Sequence, residues 1–133
     1  MKHITIIHIR YNDIDTMGHV NNAAYLQYFE QARIEWFTQT IGSEWDWKTA
    51  GFVLARNEID YKQPLLLHDK AIVETSVENI GIKSFTLCYN VIKKQKDLDL
   101  LVASGKSVLV CFDNKTQKTK PIPEEWRLQF TNE

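Results

Sequence analysis

The sequence predicts an α+β domain, one long helix embraced by a mostly antiparallel sheet, and three observations carry that prediction. Apolar residues recur at helical spacing from Asn22 to Ile41. Four later stretches alternate at the two-residue period of a strand. The connections between those stretches are short, and short connections force antiparallel neighbours. The expected order is β–α–β–β–β–β.

Taken in order, residues 4–11 alternate weakly and are rich in β-branched side chains, as a strand should be. Residues 12–21 are polar and include Gly18, so they read as a loop. In the helix that follows, Tyr25, Phe29, Ala32 and Trp36 form one stripe, flanked by Leu26, Tyr28 and Phe37. Asn21 or Asn22 can cap its start, because a carboxamide oxygen accepts from the free N–H groups of a first turn. Gly42 can end it in a left-handed conformation. So aromatic a helix is expected to be wrapped rather than laid on a surface. Trp45 and Trp47 follow in a loop, and with Trp36 they point to a bulky wall near the helix end. Strands are then expected over residues 52–61, 71–80, 83–93 and 100–112. Asn79-Ile80-Gly81 and Lys96-Asp97 occupy hairpin positions. Pro64 marks a loop, and Pro121 with Pro123 the end of ordered strand.

The 133 residues suit a single domain, expected to span 1–133. Lys and Arg number 16 against 17 Asp and Glu, a formal net charge of −1, which lacks the basic footprint of a nucleic-acid binder. No apolar run approaches the roughly 20 residues that cross a bilayer. The apolar start is broken by Thr5 and His8 with no small-residue cleavage site behind it, so it reads as a strand and no membrane contact is expected. Cys88 and Cys111 lie in strand-like segments without a CxxC pair or a His at metal spacing. They are expected as reduced core thiols, which favours a cytoplasmic address.

The chemistry is concentrated in the loop Tyr11-Asn12-Asp13-Ile14-Asp15-Thr16-Met17-Gly18-His19-Val20-Asn21-Asn22. Ionisable and amide side chains stand there just before a helix N-terminus, whose unsatisfied N–H groups and partial positive charge attract anions and developing oxyanions. An N-cap flanked by solvated loop residues is the plainer alternative. Sharper motifs fail on spacing. An EF-hand begun at Asp13 would need oxygen ligands where Met17 and Ala24 stand, so no metal is expected. Gly105-Lys106-Ser107 resembles the end of a P-loop, but Leu100 replaces the first glycine. There is no G-x-S-x-G. His3, His8 and His68 read as surface or edge residues.

The run Asp15-Thr16-Met17-Gly18-His19-Val20-Asn21-Asn22-Ala23-Ala24-Tyr25-Leu26-Gln27-Tyr28-Phe29-Glu30-Gln31-Ala32-Arg33 resembles the signature of the 4-hydroxybenzoyl-CoA thioesterase family, the hotdog-fold acyl-CoA thioesterases. It is similar in particular to the long-chain acyl-CoA thioesterase branch. Ile59-Asp60-Tyr61-Lys62-Gln63-Pro64, Ser84-Phe85 and Lys120-Pro121-Ile122-Pro123 extend the resemblance over essentially the whole chain. It implies an antiparallel sheet curled around a central helix, a homodimer or homotetramer with sites at the subunit interface, and no cofactor. The catalytic carboxylate maps onto Asp15 and the oxyanion-binding amide onto the helix start near Asn22, with His19 and Asn21 as supporting polar residues. Asp13 then becomes an acid that either supports the catalytic residues from behind or is structural. Gly18, Tyr25, Arg56 and Ser84 are the expected substrate contacts.

An acyl-CoA substrate needs an attacking oxygen and a stabilised oxyanion. Asp15 can attack directly or deprotonate a water. Arg56, Lys62, Lys83, Lys93, Lys94 and Lys96 are candidates for the phosphates of CoA, and Tyr25, Tyr28 and Phe29 for the walls of an acyl pocket. Glu30 and Arg33 are expected to pair along one helical face. Other readings stay open: an acyl-ACP thioesterase, a hotdog hydratase or dehydratase, or a non-catalytic acyl-thioester-binding module.

Overall fold

The helical stripe folds as α1, Asn22–Thr40, with Asn21 at the N-cap and its side chain accepting from the Ala23 N–H. Just past its end Gly42 takes φ 118°, a left-handed conformation that costs a residue without Cβ nothing. The computed structural model describes residues 2–46, 48 and 50–131, so the expectation for Trp47 falls outside the described residues. The strands are β1 His3–Ile7, β2 Gly51–Tyr61, β3 Lys70–Ile80, β4 Ser84–Lys94, β5 Leu100–Asp113 and β6 Lys118–Thr119. They form one antiparallel sheet in the order β1-β3-β4-β5-β2, with β6 on β5.

Period-two alternation decides which side of that sheet is dry. Ala71, Val73 and Thr75 of β3 and Phe85, Leu87, Tyr89 and Val91 of β4 are buried on the side that receives α1. Phe29 of α1 stacks on Tyr89 with ring centroids 4.3 Å apart and planes at 8°. The space for that ring comes from Gly105, opposite Tyr89 on β5. A Cβ there would stand 2.6 Å from Phe29 Cε2 and 2.5 Å from the Glu58 carbonyl oxygen. The hotdog arrangement implied by the resemblance is therefore present.

Several expectations need correction. α1 is not enclosed on every side: Gln27, Glu30, Gln31, Ile34 and Thr38 are exposed. β1 stops at Ile7, and a short 3-10 turn at Tyr11–Asp13 follows, because the Asp13 carboxylate accepts from the Arg10 N–H and bends the chain. β3 runs on through Ile80, so the hairpin turn falls at residues 81–83, closed by Gly81 N–H donating to the Ser84 carbonyl at 2.7 Å. Beyond Pro123 the chain forms a second helix, α2, Glu124–Thr131. Its Trp126 and Phe130, one turn apart, are buried against Trp36, Phe37 and Phe85 of the core. Cys111 is a free thiol in the core, whereas the Cys88 thiol lies on the outer face of the sheet, 3.3 Å from Glu78 Oε2. Partial burial and that carboxylate push its pKa up to about 11.

Candidate active site

Hydrogen bonds close the segment before α1 into a tight loop. The Asn21 N–H donates to the Asp13 carbonyl at 2.7 Å, Ile14 bridges Val20, and the Asp15 N–H donates to the His19 carbonyl at 2.8 Å. The chain reverses at Asp15-Thr16-Met17-Gly18, where the Gly18 N–H donates to the Asp15 carbonyl at 3.0 Å and Gly18 holds φ 82°. Asp at the first and Gly at the fourth position are what such a turn favours.

The two acids of this loop have different surroundings. Asp13 is only 4% exposed. Its carboxylate accepts from the Arg10 N–H at 2.9 Å, from Arg10 Nη2 at 3.2 Å and from the Tyr28 hydroxyl at 2.8 Å. Burial pushes its pKa up, but these donors together outweigh burial and hold the carboxyl below its ordinary value of 3.8. The same burial, with the Asp13 charge beside it, drives Tyr28 far above the usual phenol range. Asp13 is thus spent on structure.

Asp15 is half-buried and faces a cleft. Its Oδ1 accepts from the Met17 N–H at 2.9 Å and the His19 N–H at 3.3 Å, an Asx turn that fixes the side chain. Its Oδ2 has no hydrogen-bond partner among the described residues. Asn22, at the tip of α1, lines the same cleft. At that tip the Asn21 Oδ1 takes the Ala23 N–H at 2.9 Å, and the Asn21 carbonyl takes the Ala24 N–H at 2.9 Å. This leaves the Asn22 N–H as the first-turn donor without an acceptor among the described residues.

This cleft has a volume of about 260 Å³. Asp15, His19, Val20, Asn22 and Tyr25 line one side, and Tyr61, Lys62, Gln63 and Pro64 the other. The Val20 N–H donates to the Leu65 carbonyl at 2.8 Å and ties the two walls. Tyr61 reaches over the helix tip, its hydroxyl donating to the Asn22 carbonyl at 2.9 Å and its ring meeting Tyr25 edge to face at 5.2 Å. Burial pushes the Tyr25 phenol up to about 12, so it stays a neutral wall at physiological pH.

The structure therefore brings together Asp15, His19, Asn22 and Tyr25 from the sequence-derived set. Asn21 stands at the helix tip but spends its carboxamide oxygen on the cap. Gly18 serves the turn and does not line the cleft. Arg56 is on β2, paired with Glu58 Oε1 at 2.7 Å, and Ser84 begins β4; neither reaches the cleft. Tyr28 and Phe29 are core residues, not cleft walls. Of the candidate cations only Lys62 lines the cleft, while Lys93 pairs with Asp69 and Lys94 with Asp99. Glu30 lies 3.7 Å from Arg33, as the helical spacing predicts. Tyr61, Gln63 and Pro64 went unassigned to the site because tertiary folding, not local spacing, brings their segment to the cleft.

The profile of the Thioesterase-like superfamily matches residues 9–130, and the chain belongs to that superfamily. Among its relatives is the long-chain acyl-CoA thioesterase FadM of Escherichia coli, 31% identical over 126 residues and covering 92% of each chain. The acyl-CoA thioesterase YbgC of Haemophilus influenzae is 32% identical over 130 residues, 93% of this chain and 90% of that one. A Thermus thermophilus thioesterase solved with coenzyme A and zinc superposes with a TM-score of 0.82 at 33% identity, over 97% of this chain and 91% of that one. Among the described residues of this chain, no group of three or more His, Cys, Asp or Glu is placed to hold a metal ion, and no helix is long and apolar enough to cross a membrane.

Proposed function

We propose that this chain hydrolyses acyl-CoA thioesters to the free acid and CoA. The observation that carries the reading is that Asp15, whose Oδ2 is uncommitted, lines the same cleft as Asn22, whose N–H is uncommitted. In this reading the thioester carbonyl oxygen lies at the helix tip. There the Asn22 N–H and the positive end of α1 stabilise the negative charge that develops on it. Asp15 Oδ2 supplies the attacking oxygen by one of two routes. It adds to the carbonyl carbon, CoA thiolate leaves, and water hydrolyses the mixed anhydride; or it takes a proton from a water that attacks. His19, on the same wall, orients that water or protonates the departing thiolate. Asn21 contributes by keeping the cap, which leaves Asn22 free.

Lys62 at the mouth is the cation proposed to meet the phosphates of CoA. β2 pairs with β5 on one side only, and we propose that its other edge continues the sheet into a second protomer. Arg56 and Ser84 would then act, if at all, on a site shared between protomers. Thiol release from a panel of acyl-CoAs, read with a thiol-reactive dye, tests the activity: turnover of at least one member is expected. No thiol release from any of them contradicts the reading.

A further inference from the structure

Tyr61 closes the cleft from the wall opposite Asp15, and its two contacts have separable consequences. It stands at the end of β2, opposite Ala103 of β5, so the sheet fixes where it starts from. Its ring packs on Tyr25, and its hydroxyl donates to the Asn22 carbonyl at 2.9 Å. The peptide unit joining Asn22 to Ala23 is thereby held at both ends. Asn21 Oδ1 takes its N–H at 2.9 Å and Tyr61 grips its carbonyl, and because the unit is planar the two bonds together fix its orientation. The unit before it carries the Asn22 N–H, and its own carbonyl accepts from the Ala24 N–H at 2.9 Å. With the next plane fixed, that N–H has little freedom left to turn.

We propose that Tyr61 is a positioning residue for hydrolysis, its hydroxyl setting the direction of the Asn22 N–H toward the substrate carbonyl; this rests on the acyl-thioester reading of the cleft. Oxyanion donors act through alignment, so a small reorientation costs rate without costing affinity. Tyr61 is 43% exposed, and removing its hydroxyl orphans no buried group, so the fold tolerates the change.

The test compares wild type with Tyr61→Phe, which keeps the ring on Tyr25, using an acyl-CoA that the wild type turns over. The expected result is a kcat lower by about tenfold with KM within about twofold. An unchanged kcat, or a loss carried wholly by KM, overturns the proposal. A backbone readout separates this from the activity reading itself. In Tyr61→Phe the Ala23 N–H should exchange with solvent faster by roughly tenfold or more. That rise supports the positioning role even should the wild type hydrolyse none of the acyl-CoAs tried, and unchanged exchange contradicts it.

Discussion

Asp13 and Asp15 are two residues apart, yet one is a strut and the other is available for chemistry. The difference lies in who donates to them. Asp13 meets a phenol, a guanidinium and a backbone N–H in a dry setting, and its carboxyl is held below 3.8. A carboxyl lowered on folding stabilises the fold above its unfolded pKa and loses that contribution as pH falls through the lower folded value. Tyr28→Phe removes one of the donors and raises the folded pKa. Its acid unfolding midpoint should therefore lie at higher pH than wild type, with a loss of roughly 1.5–3 kcal/mol at neutral pH. Circular dichroism against pH checks this, and coincident acid midpoints would contradict it. Which acid was structural was legible from the motif. That Tyr28 holds it was not, since an i+15 contact leaves no trace in local spacing.

At the scale of elements, the helix and strands announced themselves through periodicity, and α1 also through its end signals, Asn21 and Gly42. The end of β1 and the whole of α2 gave no such signal. The stripe of α1 was wide enough to read over many turns. α2 offers only Trp126 and Phe130, a single repeat too short to read as a helix. β1 was expected to run to Tyr11, but a side chain, not a glycine or proline, ends it. The seam between α1 and the sheet depends on Gly105, where a methyl group would overlap Phe29 and the Glu58 carbonyl. Gly105→Ala should therefore destabilise by roughly 1–3 kcal/mol, as overpacking does. A denaturant midpoint equal to wild type would show that β5 can move aside.

The whole molecule brings three segments to one place: the loop before α1, the tip of α1, and the end of β2 with residues 62–64. The first two are contiguous in sequence, which is why Asp15, His19 and Asn22 could be named from it. The third arrives only because β2 crosses to the far edge of the sheet and returns its last residue over the helix start. Arg56, expected among the substrate contacts as a cation for the CoA phosphates, sits on the same strand yet outside the cleft within one protomer. The central proposal is that the Asp15 carboxylate drives thioester hydrolysis. The most direct measurement is kcat for thiol release by Asp15→Asn, a nearly isosteric change that keeps the turn, with melting temperature and oligomeric size recorded alongside. The account predicts a folded variant of wild-type size whose kcat falls at least roughly 10²-fold. A folded Asp15→Asn protein turning over at the wild-type rate would contradict it.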